Sequence, residues 1–144
     1  VQEKQRMWDV STPFGARVER RLAEEQIIWL VTIDKDGAPQ PSPVWFLREG
    51  DTLLIYSKPA APKLRNIARQ PRVALHFNTD AGGGDVMIFH GDAAVDAATP
   101  PPHQHAAYLE KYHQGIGNIG MTPERFAEEY AAPVRVRLGK LRGF

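Results

Sequence analysis

Apolar residues recur along the chain at two spacings, and each change of spacing marks an element. Thr12-Pro13 reads as a helix N-cap followed by a first-turn proline, and Phe14, Val18 and Leu22 then recur every fourth residue, which predicts a helix over 13–25. From Ile27 the run IIWLVTI reads as a strand, which meets the turn Asp34-Lys35-Asp36-Gly37 and returns through Pro39 to Leu47 as a hairpin. A second turn, Arg48-Glu49-Gly50-Asp51, leads into a strand over 52–56, so three strands are expected to form a meander. Pro62 opens a short helix with Leu64, Ile67 and Ala68 facing inward, and Pro71 ends it. Strands over 72–78 and 86–95 follow, parted by Ala81-Gly82-Gly83-Gly84-Asp85, whose glycines a hairpin connection explains without a ligand.

Residues 98–131 differ in kind. A proline run, Pro100-Pro101-Pro102, precedes a helix over about 103–113, then a glycine-rich loop, then a helix over 123–131, so the segment reads as a helical insertion. The last segment, PVRVRLGKL, alternates Val134, Val136 and Leu138 with Arg135 and Arg137, as a closing strand should. Six short strands with a few helices point to a small, mostly antiparallel barrel. A chain of 144 residues holds one core without staples, so residues 1–144 read as a single domain with a flexible tail over 1–11.

Composition narrows the chemistry. The longest apolar runs are far shorter than a bilayer span, and no charged segment followed by an apolar one opens the chain, so a soluble, cytoplasmic protein is expected. With no cysteine there is no thiol catalysis, thiolate metal site or disulfide. No Ser-His-Asp order, nucleophile elbow or carboxylate pair stands out, so redox chemistry would have to come from a cofactor. The net charge is only +1 and the basic residues lack interleaved stacking aromatics, which argues against nucleic acid as a partner.

Two motifs carry less than they promise. Gly115-Ile116-Gly117-Asn118-Ile119-Gly120 matches the dinucleotide fingerprint in spacing, but it follows a predicted helix where the fingerprint needs a strand, and it reads as a connector between helices. Of the five histidines, His103 and His105 point about 200° apart on a helix, with His113 further along and no carboxylate or cysteine at a ligand offset, so no metal is expected. His76 and His90 lie in strands, at positions open either to a structural role or to contact with a cofactor.

The strongest chemical signal is LLIYSKPAAPKLRNIARQPRVALHF, over 53–77. An apolar strand empties into a basic turn, then a short basic helix, then another apolar strand. Lys58, Lys63, Arg65, Arg69 and Arg72 supply cations, and Ser57 and Asn66 add hydrogen-bonding groups. A helix start after a strand end also offers free N–H groups and a positive dipole end, so a phosphate suits the turn. A solvated basic helix accounts for the same cations.

With those residues in hand, the chain resembles the split-barrel flavin-binding superfamily of pyridoxamine 5'-phosphate oxidase-like proteins, and within it the branch that uses the deazaflavin coenzyme F420. The resemblance runs from TPFGARVERRL through GAPQPSPVWFL and the 53–77 block to PVRVRLGKLRGF. It implies a mainly β (α+β), six-stranded antiparallel split β-barrel with flanking helices, paired as a homodimer with cofactor sites between the subunits. Pro43, Val44 and Trp45 at the end of one strand and Tyr56, Ser57 and Lys58 at the end of another would line the ring and ribityl chain. Lys58, Lys63, Arg65 and Asn66 would be the candidates for the phosphate. The implied activity is hydride transfer between F420 and an unsaturated or conjugated small molecule. FMN-dependent chemistry on the same fold, and a non-catalytic flavin, deazaflavin or tetrapyrrole carrier, are the alternatives. A second basic cluster, Arg135, Arg137, Lys140 and Arg142, is expected to meet the F420 carboxylate tail, or else to form a charged outer edge.

Overall fold

The fold is taken from a computed structural model, which describes residues 7–144. Helix α1 (Pro13–Glu24) starts where Thr12 accepts a hydrogen bond from the Gly15 amide at 3.0 Å, and it buries Val18 and Leu22. Strands β1 (Ile28–Ile33), β2 (Pro39–Val44), β3 (Leu47–Glu49) and β4 (Thr52–Ser57) follow, then helix α2 (Pro62–Arg69) and strands β5 (Arg72–His76) and β6 (Met87–Val95). A single 3-10 turn at Pro102–Gln104 leads into α3 (Ala106–Asn118) and α4 (Pro123–Glu129), and β7 (Ala132–Gly143) closes the chain.

All strands join one antiparallel sheet in the order β2-β1-β5-β6-β7-β4-β3, curled around its core as a split half-barrel. Among the described residues there are seven strands where six were expected, and the expected meander is not formed. The run over 39–47 breaks at Trp45-Phe46, which sends β2 and β3 to opposite edges of the sheet. The break has a local cause. The Phe46 amide donates to the Tyr112 hydroxyl at 2.8 Å, and the Phe46 carbonyl accepts from Lys111 Nζ at 2.8 Å and faces the same hydroxyl at 2.9 Å. Helix α3 thus takes both backbone groups that a continuous strand would have used.

The core inside the curl combines α1, α2 and the inner faces of the strands, including Leu30, Phe46, Ile55, Leu75, Phe89 and Val136, all at most 1% exposed. Each such side chain contributes roughly 1.5–3 kcal/mol when fully buried. A smaller aromatic cluster, Leu54, Tyr56, Tyr108, Tyr112, Ile116 and Phe126, docks α3 and α4 on the far side of β4.

The glycine-rich segment is not a connector. Helix α3 continues through Gly115 and Gly117 to Asn118 and is closed by Gly120 (φ +78°), where the Gly120 amide donates to the Gly117 carbonyl and the Met121 amide to the Ile116 carbonyl. Of the stretch read as a flexible tail, residues 1–6 lie outside the described residues, whereas Met7 and Trp8 pack on the core. Trp8 meets Phe89 edge-on at 5.9 Å and donates to Glu19 at 3.0 Å. No helix among the described residues is long and apolar enough to cross a membrane.

Candidate functional site

Curling brings the C-terminal ends of β2 and β4 face to face, although the two strands lie near opposite edges of the sheet. Between them opens a cavity of about 310 Å³, a size suited to a small organic ligand. Seven of the nine sequence-predicted positions line it: Pro43, Val44 and Trp45 from the end of β2, Tyr56, Ser57 and Lys58 from the end of β4, and Lys63 from α2.

The other two stand apart. Asn66 is buried on the inward face of α2, where its amide nitrogen donates to Thr32 Oγ1 at 3.0 Å, pinning the helix to β1. Arg65 is exposed, with only a 3.5 Å contact to the Ala60 carbonyl. Helical periodicity explains the split, since neighbouring residues on so short a helix point to different sides.

The cavity has a polar end and an aromatic end. At the polar end α2 begins with Pro62 and no side-chain cap, and Ala61 and Lys63 line the wall there. Partial burial lowers the Lys63 pKa from its ordinary 10.5, because desolvation penalises the ammonium. The exposed Lys58 lies 5.5 Å from the centre of the Tyr130 ring. A bound anion would restore at Lys63 what desolvation takes away.

The aromatic end comes from a region that sequence reasoning did not include in the site. Tyr108 (α3), Ile119, Phe126 (α4) and Tyr130 complete the lining. The Trp45 ring stacks on Tyr112 at 4.7 Å and on Phe126 at 5.5 Å, and Phe126 stacks on Tyr130 at 4.5 Å. Tyr56 donates to the Pro100 carbonyl at 2.5 Å, which ties β4 to the start of the insertion, and burial pushes its phenol up to about 12. The signal available in sequence was the four-residue spacing of Tyr108 with Tyr112 and of Phe126 with Tyr130. That spacing describes an ordinary core face equally well.

The remaining candidates lie elsewhere. His76 stacks on Trp29 at 6.2 Å on the outer face of the sheet, and neither it nor the exposed His90 lines the cavity. The terminal basic cluster is likewise displaced. Ala132 pairs with Ser57 beside the cavity, and β7 then runs away from it, so Arg137 sits opposite Thr52 and Lys140 opposite His90. Arg135 is already engaged, by Glu49 at 3.0 Å, Asp96 at 3.2 Å, Thr52 at 3.1 Å and Thr99 at 2.8 Å.

A family model described as pyridoxamine 5'-phosphate oxidase matches residues 14–138, nearly the whole chain. The chain belongs to that family. Among solved structures similar to this family member, one described as an F420 reductase is 25% identical, with a TM-score of 0.65 over 86% of this chain and 94% of that one. A conserved hypothetical protein from Mycobacterium tuberculosis is 19% identical, with a TM-score of 0.71 over 97% of this chain and 88% of that one. HutZ, the heme storage protein from Vibrio cholerae, is 14% identical, with a TM-score of 0.64 over 92% and 95%. The latter two share the fold. Among curated proteins, nephrocystin-4 from Xenopus laevis is 27% identical over a 99-residue alignment that covers 56% of this chain, which spans only 7% of that relative's length.

Proposed function

We propose that this family member is an oxidoreductase dependent on coenzyme F420. When bound, the deazaflavin would exchange a hydride with an unsaturated or conjugated organic substrate. The observation that carries this reading is the two-ended cavity, flat and aromatic along one side and cationic at the uncapped start of α2. Lys58 and Lys63 would hold the phosphate by charge-assisted hydrogen bonds, with the start of α2 and the exposed Arg65 adding positive potential. Pro43, Val44, Trp45 and Tyr56 exclude water from the ring, and Asn66 holds α2 in register through Thr32. Support for F420 over other cofactors comes from the likeness to the F420 reductase.

FMN is the second reading, and one observation favours it. The terminal arginines expected to meet the F420 tail lie along the part of β7 that leaves the cavity, and FMN needs no such contact.

We further propose that two copies pair through the outer face of β1, β5 and β6, where half-buried Trp29, Val31, Ile33, Ala74 and Ile88 gather.

Parallel fluorescence titrations of dialysed protein with F420, FMN and hemin test the cofactor assignment. Preferential binding of F420, followed by acceptor-dependent oxidation of its reduced form, is the expected outcome. Preference for FMN moves the protein to flavin chemistry, and preference for hemin overturns the oxidoreductase reading.

A further inference from the structure

Polar groups buried in this fold are paired almost throughout. Thr32 meets Asn66, Thr99 meets Asp96 and Arg135, and the Tyr112 hydroxyl accepts the Phe46 amide and faces the Gln26 and Phe46 carbonyls. Among the described residues two buried side-chain atoms lack a hydrogen-bond partner, His103 Nδ1 and the Tyr108 hydroxyl. Only Tyr108 lines the cavity.

Its ring is fully buried and held from several sides, edge-on to Tyr56 at 4.8 Å, 4.9 Å from Tyr112 and 6.2 Å from Phe126. A phenylalanine would make the same packing without stranding a hydroxyl, so the oxygen is a standing cost in the free protein. Burial, reinforced by Tyr112, Tyr56 and Tyr130, raises the phenol's pKa, so the group stays protonated and can donate. Tyr56 gives its hydrogen to Pro100, and Tyr112 is occupied by backbone. Among the described residues Tyr108 therefore has the one tyrosine hydroxyl of the lining that is both buried and without a partner. Lys63 stands at the start of α2 and the exposed Lys58 over the Tyr130 ring, whereas Tyr108 is enclosed by Tyr56, Tyr112 and Phe126. A neutral donor among rings suits a neutral acceptor better than a carboxylate, whose charge would be buried there.

We propose that the Tyr108 hydroxyl donates a hydrogen bond to a ring-carbonyl oxygen of a flat conjugated molecule bound in the cavity. The inference deepens the oxidoreductase reading and rests on it in one respect, that the occupant is planar. Ring carbonyls are carried by deazaflavins and flavins, and equally by quinones, so the donor would orient either the cofactor or its acceptor substrate.

The test compares wild type with Tyr108→Phe in titrations with F420, FMN and menadione, a quinone without phosphate, together with the melting temperature of the ligand-free proteins. The ligand whose carbonyl meets Tyr108 should bind the variant about 3- to 10-fold more weakly, while the ligand-free variant melts at the same temperature or higher. Tyr112→Phe, which removes a bonded hydroxyl, should melt lower and shows that the assay registers such a loss. Weakening confined to F420 or FMN assigns the carbonyl to the cofactor, and weakening confined to menadione assigns it to the substrate. Unchanged affinity for every ligand that binds wild type overturns the proposal, as does a melting loss in Tyr108→Phe as large as that of Tyr112→Phe. If wild type binds menadione but neither F420 nor FMN, the cofactor reading fails and menadione alone decides on Tyr108. Binding of none of the three overturns both.

Discussion

Lys63 shows how a single side chain can be tuned by the space around it. Its ammonium is partly desolvated, so in the free protein the charged form is disfavoured. That cost is fully present at neutral pH and is relieved as pH rises through the lowered folded pKa toward 10.5. Phosphate binding reverses the preference, so affinity for F420 or FMN should fall in that same alkaline window, earlier than an ordinary lysine would allow. Lys63→Ala should weaken the cofactor by about 10-fold or more, the scale of a charge-assisted hydrogen bond, and leave the ligand-free melting temperature unchanged or slightly raised. Equal affinity in the variant removes Lys63 from the site. The position of Lys63 was legible in sequence because a proline-opened helix after a strand end is a local signal. The fates of Arg65 and Asn66 were not, since two adjacent polar residues differ here in which side of α2 they face.

Two glycines of α3 give opposite expectations. A Cβ on Gly115 would stand 3.2 Å from Trp45 Cη2 and 3.4 Å from Cζ2, so the glycine forms the notch in which the indole lies. Gly115→Ala should displace that ring, shift tryptophan emission and weaken cavity ligands, while the gain in helix propensity offsets much of the packing cost. Gly117 has nothing within 4 Å of a built Cβ. Gly117→Ala should therefore stabilise the protein by about 1 kcal/mol, or roughly 3 °C by thermal melting. A lower melting temperature for Gly117→Ala would contradict the helical assignment of this segment.

At the scale of elements, β3, β4, β7 and the loop after β6 are tied together by one guanidinium. Arg135 reaches Glu49, Asp96, Thr52 and Thr99, and His105, the N-cap of α3, approaches Glu49 at 3.4 Å from the other side. Asp96 is held below its ordinary 3.8 by the Thr99 hydroxyl first and Arg135 after it. Its contribution to stability is thus present above pH 4 and lost as pH falls through the lower folded value. Arg135→Met keeps the aliphatic stem and should cost about 2 kcal/mol at neutral pH, with less further loss on acidification than wild type shows. An unchanged acid limb would remove Asp96 from the network. Helix α1, α2 and the strands other than β2 and β3 could be placed from periodicity because each carries its own cap or breaker. The break at Trp45-Phe46 could not, because nothing local ends the strand there; a tyrosine and a lysine more than sixty residues away do so.

At the scale of the molecule, the sheet order pairs strands far apart in sequence, and alternation alone is silent on such pairings. Family likeness supplied the curled split barrel, while the half of the cavity built from 108–130 emerged only once α3 and α4 were docked. Lys58 and Lys63 on one side, and the aromatic wall carried by α3 and α4 on the other, come from separate stretches of chain, so one can change while the other is kept. The outer sheet face is where assembly would be decided. Trp29→Glu should shift sedimentation from dimer to monomer, and a monomeric wild type would rule out pairing through that face.

The Phe46 amide proton has an unusual guardian. Its hydrogen bond runs to a helix side chain instead of a neighbouring strand, so its exchange with solvent deuterium reports whether α3 is seated, independently of whether the sheet is intact. In a protein whose aromatic cavity wall is carried by that helix, one backbone proton becomes a clock for how often the wall lets go.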